Sequence, residues 1–101
     1  MTTTPVHVVF EVDVLDADDP GYLEYKRAVA PLIESFGGRY LARAARGSAI
    51  EGTGTKGVWH LVEFPDARAV QDFWASPEYA RLRPLREGAA EVRAVLIDPT
   101  S

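Results

Sequence analysis

Two groups that do acid–base chemistry share one short run that reads as a buried strand: Gly57-Val-Trp-His-Leu-Val-Glu-Phe-Pro65 carries His60 and Glu63. Burying either without a partner is costly. An imidazole titrates near neutrality and can act as general acid or base. The spacing decides whether the two can work together. Residues three apart on an undistorted strand point to opposite faces, so a direct His60–Glu63 dyad is not expected. His60 should turn beneath the covering helices, near Tyr22, Tyr25 or Trp74. Glu63 should turn to the other face, near Arg43 or Arg39. His60, Glu63 and Arg43 are therefore the candidate catalytic groups, with Arg43 suited to holding an anionic or carbonyl oxygen. Tyr22, Tyr25, Tyr40, Trp59, Phe73 and Trp74 are the candidate lining of a cavity for a flat aromatic or polyketide-like molecule. Each has a plain alternative. A lone histidine on an apolar face is more often a hydrogen-bonded core residue, and a Glu–Arg pair is more often an interface salt bridge. Aromatic side chains at helical spacing are more often core, although Tyr and Trp carry polar ends that need partners when buried.

Other chemistries are poorly served. The chain has no cysteine, which excludes disulfides, zinc thiolate sites and thiol nucleophiles. There is no G-x-S-x-G elbow and no dinucleotide fingerprint. Gly52-Thr-Gly-Thr-Lys-Gly57 opens a strand, so it cannot present a helix N-terminus to phosphate. His7 and Glu11 share a strand face but lie four residues apart, roughly 13 Å, too far to hold one metal ion. Haem would need His60 or His7 as axial ligand, and no pattern supports either. Neither metal nor cofactor is expected. A net charge of -4 argues against a nucleic-acid partner. No apolar run reaches membrane-spanning length. Met1-Thr-Thr-Thr-Pro5 lacks the basic and apolar regions of a signal peptide. A cytoplasmic protein is the expectation.

The elements that would position these groups are legible. The 101 residues, 47% of them apolar, suit one globular domain over residues 1–101. Val6 to Val14 alternates, with Val6, Val8, Phe10, Val12 and Val14 on one face and His7, Val9, Glu11 and Asp13 on the other. Asp19-Pro20 signals a helix start. Tyr22, Tyr25, Val29, Leu32, Ile33 and Phe36 carry that helix to about Phe36; Pro31 should kink it, and Gly37-Gly38 should end it. Arg39 to about Ala45 reads as a second strand, with Arg39, Leu41 and Arg43 facing away from Tyr40, Ala42 and Ala44. Gly47 should bulge or bend it, with Ser48 to Glu51 continuing in extended form. After the third strand, Asp66 caps a helix with Ala69, Val70, Phe73 and Trp74 inward. Ser76-Pro77 starts a short third helix, and Glu91 to Ile97 is the last strand. The order β-α-β-β-α-β gives an α+β, ferredoxin-like plan: a four-stranded antiparallel sheet with helices on one face. The uncovered face would carry Glu11, Glu63, Arg43 and Arg93. A domain this small gains stability by joining a second copy there.

The runs PGYLEYKRAVAPLIESFGGRYLAR (Pro20 to Arg43) and VEFPDARAVQDFWASPEYARLRPLR (Val62 to Arg86) resemble the domain-of-unknown-function 1330 family of the dimeric α/β-barrel superfamily. That resemblance implies a homodimer whose two sheets face each other as a barrel. Neighbouring families include cofactor-independent monooxygenases, dehydratases, isomerases, cyclases and haem-degrading enzymes, a likeness of fold that does not set function. Three readings follow. The preferred one is a cofactor-independent small-molecule enzyme using acid–base chemistry such as cyclisation, dehydration or isomerisation, with His60 as base or acid. The second is a cofactor-independent monooxygenase of an aromatic substrate, using Trp59 or Trp74. The third is a non-enzymatic dimeric ligand-binding or structural domain.

Overall fold

The structure, a computed structural model, describes residues 4–99. Four strands run as β1 (Val6–Val14), β2 (Arg39–Arg46), β3 (Val58–Phe64) and β4 (Ala90–Ile97). Three helices intervene: α1 (Pro20–Ser35) between β1 and β2, then α2 (Ala67–Ala75) and α3 (Pro77–Leu82) between β3 and β4. A 3₁₀ turn at Arg83–Arg86 follows α3, where Pro84 interrupts the helical ladder. The sheet order is β2-β3-β1-β4, antiparallel throughout. This is the ferredoxin-like arrangement, with the helices on one face.

Local chemistry explains the helix boundaries. Asp19 caps α1 by accepting from Tyr22 N–H at 2.9 Å, and Pro20 supplies the preset first turn. Pro31 lies inside α1 without ending it. Gly37, at φ 87°, takes the left-handed turn that ends the helix, and Gly38 N–H returns to Ile33 C=O at 3.0 Å. Asp66 caps α2 through Ala69 N–H at 2.8 Å. Buried Ser76 joins two helices: its hydroxyl donates to Phe73 C=O at 2.7 Å and accepts from Tyr79 N–H at 3.1 Å.

The core lies between helices and sheet. Val6, Val8, Phe10 and Val12 of β1 meet Val62 and Phe64 of β3, with Ile33, Val70, Phe73 and Tyr79 from above. Phe64 and Phe73 are wholly buried, and a side chain of that kind contributes about 1.5–3 kcal/mol by leaving water. Among the described residues, no helix is long and apolar enough to cross a membrane.

Strand β2 departs from simple alternation, and the departure rearranges the site. Arg39 pairs with Glu63 and Tyr40 with Val62, but Ala42 then pairs with Leu61 and Ala45 with Trp59. Each step inserts one extra residue, first at Leu41 and then at Arg43–Ala44. Two residues, Arg43 and Ala44, thus stand against His60 alone. The expected face assignment of Ala42 and Arg43 is corrected accordingly: Ala42 joins the open face and Arg43 the helix-covered side. Gly47 lies past the end of β2, and residues 47–57 form no strand. Its role is close approach, because a Cβ there would collide with the Trp59 indole.

Candidate functional site

A cavity of about 300 Å³ opens between α1 and the covered side of the sheet. Helix α1 supplies Tyr22, Tyr25, Lys26, Val29 and Ile33, the positions that successive turns bring to one side. The sheet supplies Phe10, Val12, Tyr40, Arg43, Ala44, His60 and Val92. Among the described residues, no carboxylate lines it.

His60 is half-buried in the middle of β3. The rings of Tyr40 and Phe10 stand edge-on to it, with centroids at 6.0 and 6.5 Å. Its Nδ1 accepts the backbone N–H of Ala44 at 3.1 Å. A nitrogen that accepts carries no proton, so the neutral ring holds its proton on Nε2. Burial lowers the His60 pKa below its ordinary value, and the nearby Arg43 charge lowers it further. The group is thus a neutral imidazole with one N–H left to donate.

The tyrosines offer ring surface and not bases. Burial raises the phenol pKa of Tyr22, Tyr25 and Tyr40; at Tyr40 the Arg43 charge opposes the shift without cancelling it. The Tyr25 hydroxyl is engaged with the Tyr79 hydroxyl at 3.1 Å in a buried contact. Three cations sit over these rings, the Arg86 guanidinium lying 5.6 Å from the Tyr25 centroid. Lys26 Nζ lies 5.2 Å from the Tyr22 centroid, and the Arg43 guanidinium lies 5.0 Å from that of Tyr40.

His60 and Arg43 therefore come together, and Glu63 does not join them. Glu63 lies on the opposite sheet face, accepting from Arg39 at 2.9 Å and paired with His7 at 3.2 Å. Of its two expected partners, Arg39, in register with Glu63, makes the pair, and Arg43 is corrected because the bulge carries it through the sheet. The Arg39 hydrogen bond holds Glu63 below the usual carboxylate value, with His7 adding to it. Of the six expected lining aromatics, Tyr22, Tyr25 and Tyr40 line the cavity. Trp74 stacks on Phe10 at 5.8 Å and packs against Phe73 within the core. Trp59 lies on the open face, its indole N–H buried without a partner. Lys26 and Ala44 were not anticipated. Lys26 is four residues after Tyr22, a spacing that puts it at the margin of the inner helical stripe. Nothing in the residue type of Ala44 marks it.

The open sheet face is apolar at its centre and ionic at its edges. Val95 and Ile97 are 48% and 52% exposed, with Val9 and Leu61 in the adjoining ladders. Arg93 bonds Glu11 at 2.7 Å. Among the described residues, no group of three or more His, Asp or Glu side chains is placed to hold a metal ion.

Comparison with known proteins gives a family and a fold. Residues 5–100 match the model of a domain of unknown function, DUF1330. The chain is similar to a protein of unknown function from Rhodopseudomonas palustris (20% identity, 94% of this chain and 82% of that one, TM-score 0.71). It is similar to a hypothetical Arabidopsis thaliana protein (18% identity, 100% and 94%, TM-score 0.67). It is also similar to SnoaB, a cofactor-independent oxygenase from Streptomyces nogalater (14% identity, 92% and 90%, TM-score 0.58). No match was found among curated proteins.

Proposed function

The chain belongs to the DUF1330 family of unknown function, and for this member we propose a cofactor-independent enzyme that polarises the carbonyl of a small planar substrate. The observation that carries this reading is the Ala44 N–H bond to His60 Nδ1 inside a lined cavity. It leaves Nε2–H as a fixed donor in a partly dehydrated site. A substrate carbonyl oxygen set against that donor, with Arg43 beside it, gains stabilisation as negative charge gathers on the oxygen. Removing one such donor costs enzymes roughly 10²–10³ in rate. The suited reactions are isomerisation, cyclisation or dehydration of activated carbonyl compounds. His60 then acts as an electrophile that donates a hydrogen bond to the carbonyl oxygen. The role of base is disfavoured, because Nδ1 is occupied and Nε2 is already protonated.

A second reading is a cofactor-independent oxygenase, the activity named for SnoaB. The same donor would stabilise an enolate or phenolate that then reacts with dioxygen. What favours it is the shared fold together with the aromatic cavity. We further propose that the open sheet face pairs with a second copy, as the exposed Val95 and Ile97 support.

The test is a screen of cyclic 1,3-diketones and polyhydroxylated naphthalenes, followed by absorbance and oxygen electrode. Substrate loss without oxygen uptake supports the first reading, and uptake supports the second. His60→Leu should lose the activity, whereas His60→Gln, which keeps an N–H donor, should retain part of it. Equal loss in both variants would shift the role of His60 to proton transfer. Full activity in a folded His60→Leu protein would sink the proposal.

A further inference from the structure

We propose that the cavity selects a planar organic anion, whose charged oxygens are gripped at the mouth by Lys26 and Arg43. This rests on reading the cavity as a small-molecule site and adds the charge of what enters it. Lys26 comes from α1 and Arg43 from the β2 bulge, and both border the same 300 Å³ space. Both are exposed, and each lies over a lining tyrosine ring. Among the described residues neither makes an ion pair, while Arg27, Arg39, Arg68 and Arg93 each do. Among the described residues, the lining has no acid to neutralise the two cations. Glu34 acts on Tyr40 electrostatically but does not line the space. This positive mouth belongs to a chain of net charge -4, so the cations gather against the general sign of the protein.

The interior matches the same ligand. Ring faces of Tyr22, Tyr25 and Tyr40 receive a flat apolar body, and the volume is at the small end of ligand pockets, which run roughly 300–1,000 Å³. A one- or two-ring acid fits this description. No lining tyrosine is ionisable near neutrality, and His60 is occupied at Nδ1, so the charge enters with the ligand.

The test is calorimetric binding of naphthalene-2-carboxylate and its uncharged isostere naphthalene-2-carboxamide at low salt. The carboxylate should bind at least roughly tenfold tighter, as for a charge-assisted hydrogen bond. Lys26→Gln and Arg43→Gln should each weaken the carboxylate several-fold, and Lys26→Gln should leave the carboxamide unchanged, which also reports an intact cavity. Lys56→Gln, outside the lining, should change neither. Equal affinity for the two probes, binding of neither, or a preference that survives the Lys26→Gln/Arg43→Gln double variant would overturn the inference. The two readings fail separately. A charge preference without turnover of any carbonyl compound removes the enzyme and keeps the anion site. Turnover dependent on His60 with no charge preference does the reverse.

Discussion

Ala44 donates its backbone N–H to Nδ1 of His60 at 3.1 Å while holding φ at 51°. A non-glycine residue at positive φ is uncommon and is sustained only where surrounding structure enforces it. Here the enforcing structure is the second bulge of β2, which sets two residues against His60. One measurement reads the result directly. Long-range ¹H–¹⁵N correlation on the folded protein near pH 7.5 should show His60 as the neutral tautomer protonated on Nε2. Ala44→Gly, which keeps the N–H and tolerates the φ, should preserve that tautomer. A His60 protonated on Nδ1 would defeat the arrangement.

The lowered His60 pKa has a consequence for stability. The unfolded chain binds its proton near the ordinary value of 6.5, while the folded chain resists it. The unfolded state then holds more protons, so stability falls as pH drops from 6.5 toward the folded value. Above 6.5 both states are neutral and the contribution vanishes. Thermal melts from pH 8 to 5 should show this decline, and His60→Gln should flatten it. Glu63 acts at lower pH: its depressed pKa contributes stability that is lost only as pH falls from its ordinary 4.5. A wild-type curve flat down to pH 5 would contradict the burial of His60.

Sedimentation tests the open face. The native protein should run near twice its 11.1 kDa chain mass at micromolar concentration. Val95→Asp should shift it toward monomer, because its register partner is Val9 and a carboxylate placed in an apolar interface goes unpaired. Ligand binding in the cavity, on the other side of the sheet, should persist. A wild-type protein that sediments as a single chain would remove the dimer.

Tyr25→Phe separates the ring from its hydroxyl. The Tyr25–Tyr79 contact is buried, so the variant leaves the Tyr79 hydroxyl without that partner, at about 1–3 kcal/mol. Urea denaturation should show the loss, and ligand affinity should hardly change because the ring stays. An equal loss of affinity would place the hydroxyl in the site.

Gly47→Ala probes a close approach. The added methyl has no room beside the Trp59 indole, and relieving such overlap costs typically about 1–3 kcal/mol. A lowered melting temperature with altered Trp59 fluorescence is expected. Unchanged melting would mean that residues 47–57 yield freely.

Local rules in the chain determined most of the fold. Alternation set β1, capping residues at Asp19, Asp66 and Ser76 set the helix starts, and glycine at positive φ ended α1. They also placed His60 and Glu63 on opposite faces, because β3 is regular and period-two alternation holds along it. The same rule failed in β2. Arg39 to Arg46 contains no glycine or proline to announce a bulge, so alternation sent Arg43 to the open face with Glu63. Only the pairing of β2 with β3 reveals two inserted residues, since register is a relation between strands and not a property of either. That relation moved Arg43 into the cavity, brought Ala44 N–H to His60, and thereby chose the tautomer. Lys26 became a mouth residue for a related reason: helical spacing puts it beside Tyr22, but only the docking of α1 on the sheet encloses the space between them.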